Sequence, residues 1–305
     1  MKKLFTRKVF IGILQAYLAV LLILYLYGFF KTDVQSLETN MSSIQDLPDN
    51  SVASSIFIYN FNAPGILYEA NDIKSSRSKY WWLNSGGSMV IEGGIGKTVQ
   101  GDLSPWNRWR IAYGINNPTD TDNGSHPQNV FRLFTRNTWE NFSEQIYFKI
   151  NKDNLSDSPN RNISNGVFLI SRFKDRNNLY YAGVRVDGTA IIKKKAGGVY
   201  FTIAQKEIWQ EGRYDRYSNP SLLPKNSWIG MRSEIVSIPS GSVSIKFFLD
   251  KDGQGDWQLI FDETDDGKTY GGSAILGSGS GGLRSDFMDI EFKGFEVREV
   301  GSPPA

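Results

Sequence analysis

Gly166-Val-Phe-Leu-Ile-Ser-Arg-Phe173, Lys174-Asp-Arg-Asn-Asn178, Leu179-Tyr-Tyr-Ala-Gly-Val-Arg-Val186, Asp187-Gly188, Thr189-Ala-Ile-Ile-Lys-Lys-Lys195 and, after Ala196-Gly197-Gly198, Val199-Tyr-Phe-Thr-Ile-Ala-Gln205 form the stretch that decides the fold. Each apolar run is short, rich in β-branched and aromatic residues, and closed by turn formers, which is the signature of strands. Asp187-Gly188 and Gly197-Gly198 are two-residue hairpin turns, because a type I′ turn needs positive φ and these residues tolerate it. A helix over 179–195 would have to carry β-branched residues and a glycine-bearing turn through its middle. Four strands joined by tight turns make an antiparallel meander.

The same punctuation continues on both sides. Downstream, strands are expected at 229–237 and 242–249 around the Ile238-Pro-Ser-Gly241 turn, then at 257–261 and 287–297, with the glycine-rich 271–282 as a tight connector. Upstream they are expected at 56–61, 88–92, 108–113, 130–135 and 145–150, with polar loops at 116–128 and 151–165. Beyond the N-terminal region no long window shows an apolar stripe of helical period. The expected fold is therefore all-β, an antiparallel jelly-roll sandwich over residues 56–300, preceded by one N-terminal transmembrane helix.

That helix is expected at residues 9–30, a run of 22 residues without a charge, in which Gln15 is the strongly polar member. It would reach roughly 33 Å, against a hydrocarbon core of about 30 Å. Lys2, Lys3, Arg7 and Lys8 precede it, so residues 1–8 are expected in the cytoplasm and the main domain outside, periplasmic or extracellular. The run ends Tyr25-Leu-Tyr-Gly-Phe-Phe30, an interfacial aromatic belt where a cleaved signal peptide would show small residues, so a signal anchor is the expectation. Residues 31–55 read as a polar stalk. Gly12, Tyr17, Tyr25 and Tyr27 offer packing positions for membrane-protein partners.

After residue 30 the chain holds 30 basic and 32 acidic residues, a balance that gives no ground for a nucleic-acid partner. The absence of cysteine excludes disulfides, thiolate chemistry and Cys-ligated zinc.

The order of elements from 166 to 297 resembles the concanavalin A-like lectin/glucanase superfamily in its laminin-G-like branch. The resemblance is carried by Gly166 to Val186, by Trp228-Ile-Gly-Met-Arg-Ser-Glu234, by 243–250 and by Phe292-Lys-Gly-Phe-Glu-Val297. It implies a sandwich that serves lectins, glycan hydrolases, polysaccharide lyases and adhesion modules alike, and so a fold more than a function.

Within that frame Phe287-Met-Asp-Ile-Glu-Phe292 resembles the acidic strand of laminarinase-type glycosidases, with Asp289 and Glu291 matched but Phe287 standing where the nucleophile belongs. Arg232-Ser-Glu234, Gln145-Ile-Tyr147 and Lys195-Ala-Gly-Gly-Val-Tyr200 resemble pieces of alginate-lyase signatures in a different order, with Tyr147 in place of a histidine. No intact catalytic set results, and the expected protein is a membrane-anchored, non-catalytic module that binds glycan or another surface ligand. Its alternatives are an accessory subunit of a membrane complex and a polysaccharide hydrolase or lyase. Aromatic rings stack on the apolar faces of sugars, which makes Trp82, Tyr180 and Tyr181 candidate contacts beside Trp81, Trp106 and Trp109. Arg172, Arg185, Lys193 and Lys195, with Lys194 between, would add affinity for an acidic glycan. No cofactor is expected unless it is calcium, for which Asp250, Asp252 and Asp256 offer oxygens at alternating places; turn geometry explains the same residues. Asp120-Thr-Asp-Asn-Gly124 is a shorter loop of the same kind, and His126 is the chain's one histidine.

Overall fold

The computed structural model describes residues 56–301. The expected anchor at 9–30 and stalk at 31–55 lie outside them. Among the described residues no helix is long and apolar enough to cross a membrane.

Two antiparallel sheets face each other. The larger has nine strands. Its path begins with β14 (Gln258–Asp265), β13 (Val243–Asp250), β12 (Ile229–Ser237) and β7 (Phe142–Asp153). It continues through β16 (Met288–Glu299), β5 (Ile95–Thr98), β4 (Ser88–Glu92) and β2 (Gly65–Tyr68), with β1 (Ile56–Tyr59) also paired to β16. The smaller has seven strands in the order β11 (Val199–Glu207), β10 (Thr189–Ala196), β9 (Asn178–Arg185), β8 (Gly166–Asp175), β15 (Gly279–Asp286), β6 (Val130–Trp139) and β3 (Trp81–Ser85). The meander of β8 to β11 is present, and Gly197 and Gly198 take the expected pair of positive φ values, 58° and 87°. The other turn differs from the type I′ expectation, since it runs through Val186, Asp187 and Gly188 with only Gly188 at positive φ (78°), its amide donating to the Arg185 carbonyl.

Inward residues of both sheets make one core, including Leu133, Leu169, Val184 and Ile192 from the smaller sheet and Ile146, Phe148, Met231 and Phe247 from the larger. Its aromatic end joins Phe57 and Tyr59 to Trp81, whose ring lies 4.8 Å from that of Phe295.

Three local expectations are corrected. Residues expected as a strand at 108–113 form α1 (Arg108–Asn116), whose N-cap Asn107 accepts a hydrogen bond from the Trp109 amide. Only Tyr113 of this helix is buried, while Ile111 and Ile115 are exposed, so it has no apolar stripe for a periodicity argument to find. The glycine-rich 271–282 is a connector only as far as residue 278, and β15 begins at Gly279 in the middle of the seven-stranded sheet. A Cβ on Gly281 would stand 2.6 Å from the Glu144 carboxylate, so bare backbone makes room for that buried group. Finally, β2, β3 and β5 are four or five residues long and were not expected.

Glu144 accepts from Ser171 Oγ at 2.6 Å and from the Gly282 amide at 3.2 Å. Burial pushes its carboxyl up to about 8, against these two hydrogen bonds.

Candidate functional site: the outward face of the seven-stranded sheet

Successive side chains of a strand point to opposite faces. Along β9 Tyr180, Ala182 and Val184 enter the core, which turns Tyr181, Gly183 and Arg185 outward. Along β10 Ala190 and Ile192 are in the core, so Lys193 and Lys195 face out. Trp82 of β3 shares the outward apolar cluster of Phe134, Phe168, Ile170 and Tyr181. Five of the seven expected ligand contacts, Trp82, Tyr181, Arg185, Lys193 and Lys195, thus lie on one face.

The other two do not. Tyr180 is 1 % exposed; its hydroxyl donates to Asp265 Oδ2 at 2.7 Å and accepts from the Ile275 amide at 2.9 Å. Lys194, from the same basic run, is equally buried, its Nζ 2.8 Å from both Asp265 Oδ1 and the Gly272 carbonyl. Arg172 is fully buried at φ 51°. Its guanidinium donates to the carbonyls of Glu140 and Ile275, to Asn141 Oδ1 and to Ser237 Oγ. Tyr180, Lys194 and Arg172 hold the 266–278 connector down and present nothing to a ligand. Trp81 is likewise in the core, Trp106 is exposed on the loop before α1, and Trp109 lies under the Arg108 guanidinium beside Tyr68.

The outward face gains four residues not singled out as ligand contacts. Arg132 and Arg284 occupy directly paired positions on β6 and β15, and Asp286 follows two residues on. Tyr200 of β11 stands opposite Lys195. The Tyr181 and Tyr200 rings are stacked with centroids 6.2 Å apart and planes at 27°. Lys195 Nζ sits 4.9 Å over the Tyr200 ring, and Arg284 Cζ 5.2 Å over that of Tyr181. Burial pushes Tyr181 up. It would push Tyr200 up too, but Arg284 and Lys195 outweigh it and hold that phenol below its ordinary value. Lys193 is lowered by burial and by the neighbouring charges of Arg185 and Arg284.

The catalytic resemblances come apart. Arg232 and Gln145 are register partners in the nine-stranded sheet, with Tyr147 two residues along, whereas Lys195 and Tyr200 are on the other sheet. The inward positions of Met231 and Ile146 turn Arg232, Gln145 and Tyr147 to the opposite outer surface, with the core between the two halves of the motif. Asp289 is buried and accepts from the Gly101 amide, Gln128 Nε2 and Asn154 Nδ2. Glu291 pairs with Lys149 at 2.8 Å, and a register shift between Asp289 and Ile290 breaks the alternation that would align them.

Asp250 is buried and accepts from the amides of Gln254 and Gly255, while Asp252 and Asp256 are exposed. Among the described residues no group of three or more His, Cys, Asp or Glu side chains is arranged to hold a metal ion. His126 bridges Asp122 and Asp102 at 2.7 and 2.8 Å, and Asp120 accepts from Ser158 and Asn160, tying the 101–129 and 151–165 loops together.

No family model matches the chain, and no curated protein matches it. Among solved structures it is similar to the carbohydrate-binding module CBM66 from Bacillus subtilis, at 14% identity and TM-score 0.43 over 72% of this chain and 95% of that one. It is similar to a protein of unknown function with a galectin-like fold from Bacillus subtilis, at 13% identity and TM-score 0.42 over 81% and 96% of the two chains. A Bacillus licheniformis β-glucanase matches at 11% identity and TM-score 0.41 over 82% and 100%.

Proposed function

We propose that the chain is a membrane-tethered, non-catalytic module that binds glycan on the outward face of its seven-stranded sheet. The observation that carries this reading is the stack of Tyr181 and Tyr200 with Lys195, Lys193, Arg284 and Arg132 on the same face. Tyr200 is 49 % exposed and gives a sugar ring an accessible aromatic surface bordered by hydrogen-bond donors. The tether is the uncharged run at 9–30, which would leave the module on the outer side of the membrane.

The test is binding of the full-length protein in mild detergent to immobilised polysaccharides, with the polymer recovered and sized afterwards. The reading expects retention, loss of retention in a Tyr181→Ala/Tyr200→Ala double variant, and unchanged polymer length. Equal retention of the double variant would refute the face, and shortened polymer would refute the non-catalytic part. For the tether, external protease on spheroplasts should digest the β-domain; protection of the domain would overturn the orientation.

A further inference from the structure

Arg132 and Arg284 stand opposite each other in register, on adjacent strands and on the same face. Directly opposed residues of an antiparallel pair have their Cβ atoms about 4.5–5.5 Å apart, and like charges there destabilise the sheet. The carboxylate beside them is Asp286, whose Oδ1 takes the Arg284 Nε–H at 2.9 Å. Arg132 Nε is buried without a hydrogen-bond partner, and so is Asp286 Oδ2. Burial alone would lower the Arg284 guanidinium, but Asp286, Tyr181 and Tyr200 together hold it charged. Lys193 adds a further cation three strands beyond β15. The face therefore sets two arginines and a lysine over a buried apolar floor, with Asp286 as the carboxylate beside them.

We propose that Arg132 and Arg284 form an anion subsite that takes the carboxylate or sulfate of an acidic glycan, with the Tyr181–Tyr200 stack beside it receiving the sugar ring. This rests on the glycan-binding reading and adds the class of glycan. Guanidinium groups suit planar or tetrahedral oxyanions because they offer several N–H donors in a fixed fork. An anion between the two arginines would give Arg132 the partner it lacks and remove their repulsion. The free protein carries a destabilising pair that its ligand relieves.

The experiment uses the full-length protein in detergent, with Arg132→Gln as the main variant, Lys193→Gln as a second that leaves Arg284 undisturbed, and Lys293→Gln on the opposite sheet as control. Binding is measured to a polyuronate, a sulfated polysaccharide and a neutral polysaccharide, and melting temperature with and without sodium sulfate or sodium glucuronate. Expected is at least tenfold tighter binding of an acidic polymer than of the neutral one. Arg132→Gln should lose about tenfold of it and Lys193→Gln several-fold, with a shallower salt dependence, and Lys293→Gln should lose none. In anion-free buffer Arg132→Gln should melt a few degrees above the wild type, and the added anion should raise the wild type more than the variant. Which polymer and which small anion act decides between carboxylate and sulfate. Acidic binding unchanged in Arg132→Gln, or a neutral polymer bound as tightly as the acidic ones, overturns the anion subsite and leaves the glycan face standing. Binding to none of the three polymers overturns the glycan reading and this inference with it.

Discussion

The two outer surfaces of the sandwich are both rich in cations and aromatic rings, yet they use them differently. On the nine-stranded sheet the charges are matched: Lys149 with Glu291, Lys97 with Glu92, Lys246 with Asp262. Lys293 lies 4.2 Å over Trp228, and Arg232 lies over Phe248 and Trp257. On the seven-stranded sheet Arg132 faces Arg284 across a strand boundary, Lys193 is depressed by burial and by like charges, and a buried nitrogen has no acceptor. Counting basic residues therefore does not locate a site: on one surface the cations meet carboxylates or ring faces, and on the other two arginines meet each other.

The largest test of this contrast runs through β10. Lys194 lies beneath the cationic face in a fully buried pair with Asp265, while Lys193 and Lys195 lie on it. Lys194→Met should cost about 3–5 kcal/mol in urea unfolding, because it strands a buried carboxylate. Lys195→Met should cost no more than about 0.5 kcal/mol while weakening ligand retention. Equal costs would break the division between inward and outward cations.

Next comes the interior beneath both sheets. Glu144 ionises near pH 8 when folded and near 4.5 when unfolded, so the folded state holds the proton more tightly. Stability is full below about pH 4.5, falls as pH rises, and levels off above about 8. Glu144→Gln keeps the shape of the neutral acid and should flatten that fall, raising the melting temperature by about 5 °C at pH 8.5 with little change at pH 4.5. A wild-type-like pH profile in the variant would show that Glu144 does not drive it. A smaller effect is expected for Tyr200→Ala, with about tenfold weaker glycan binding against less than twofold for Trp257→Ala on the other surface. The smallest is Lys149→Gln, which should change stability by under about 1 kcal/mol, since its ion pair with Glu291 is partly solvated.

The meander was legible because its turns are local: Gly197-Gly198 takes the positive φ that its residues invite, and Asp187-Gly188 marks a turn even though only Gly188 adopts it. The placement of Lys193 and Lys195 on one face followed from alternation once the strand was given. What the sequence hid was either non-local or without a pattern. Arg284 sits in Gly279–Asp286, whose glycines read as connector until β6 and β8 are seen on either side. The opposition of Arg132 and Arg284 spans two strands far apart in the chain, and no local period encodes such a register. Arg172 and Tyr180 looked like surface residues because positive φ in one and the inward phase of a fully apolar strand in the other cannot be read from residue type. Helix α1 escaped for want of an apolar stripe.

One feature of the aromatic end bears on mechanics. Strand β1 has only four register pairs with β16, and Ile56 and Ile58 are exposed, so by hydrogen bonding alone it would peel away easily. Phe57 alternates with them and meets Tyr80, Trp81, Trp139 and Phe295 at 5.8–6.3 Å, while Tyr59 meets Phe61 at 4.8 Å. Tension applied through the residues before Ile56 must therefore draw two rings out of this aromatic cluster before the rest of the sandwich feels it, which makes this end of the domain a rivet against shear.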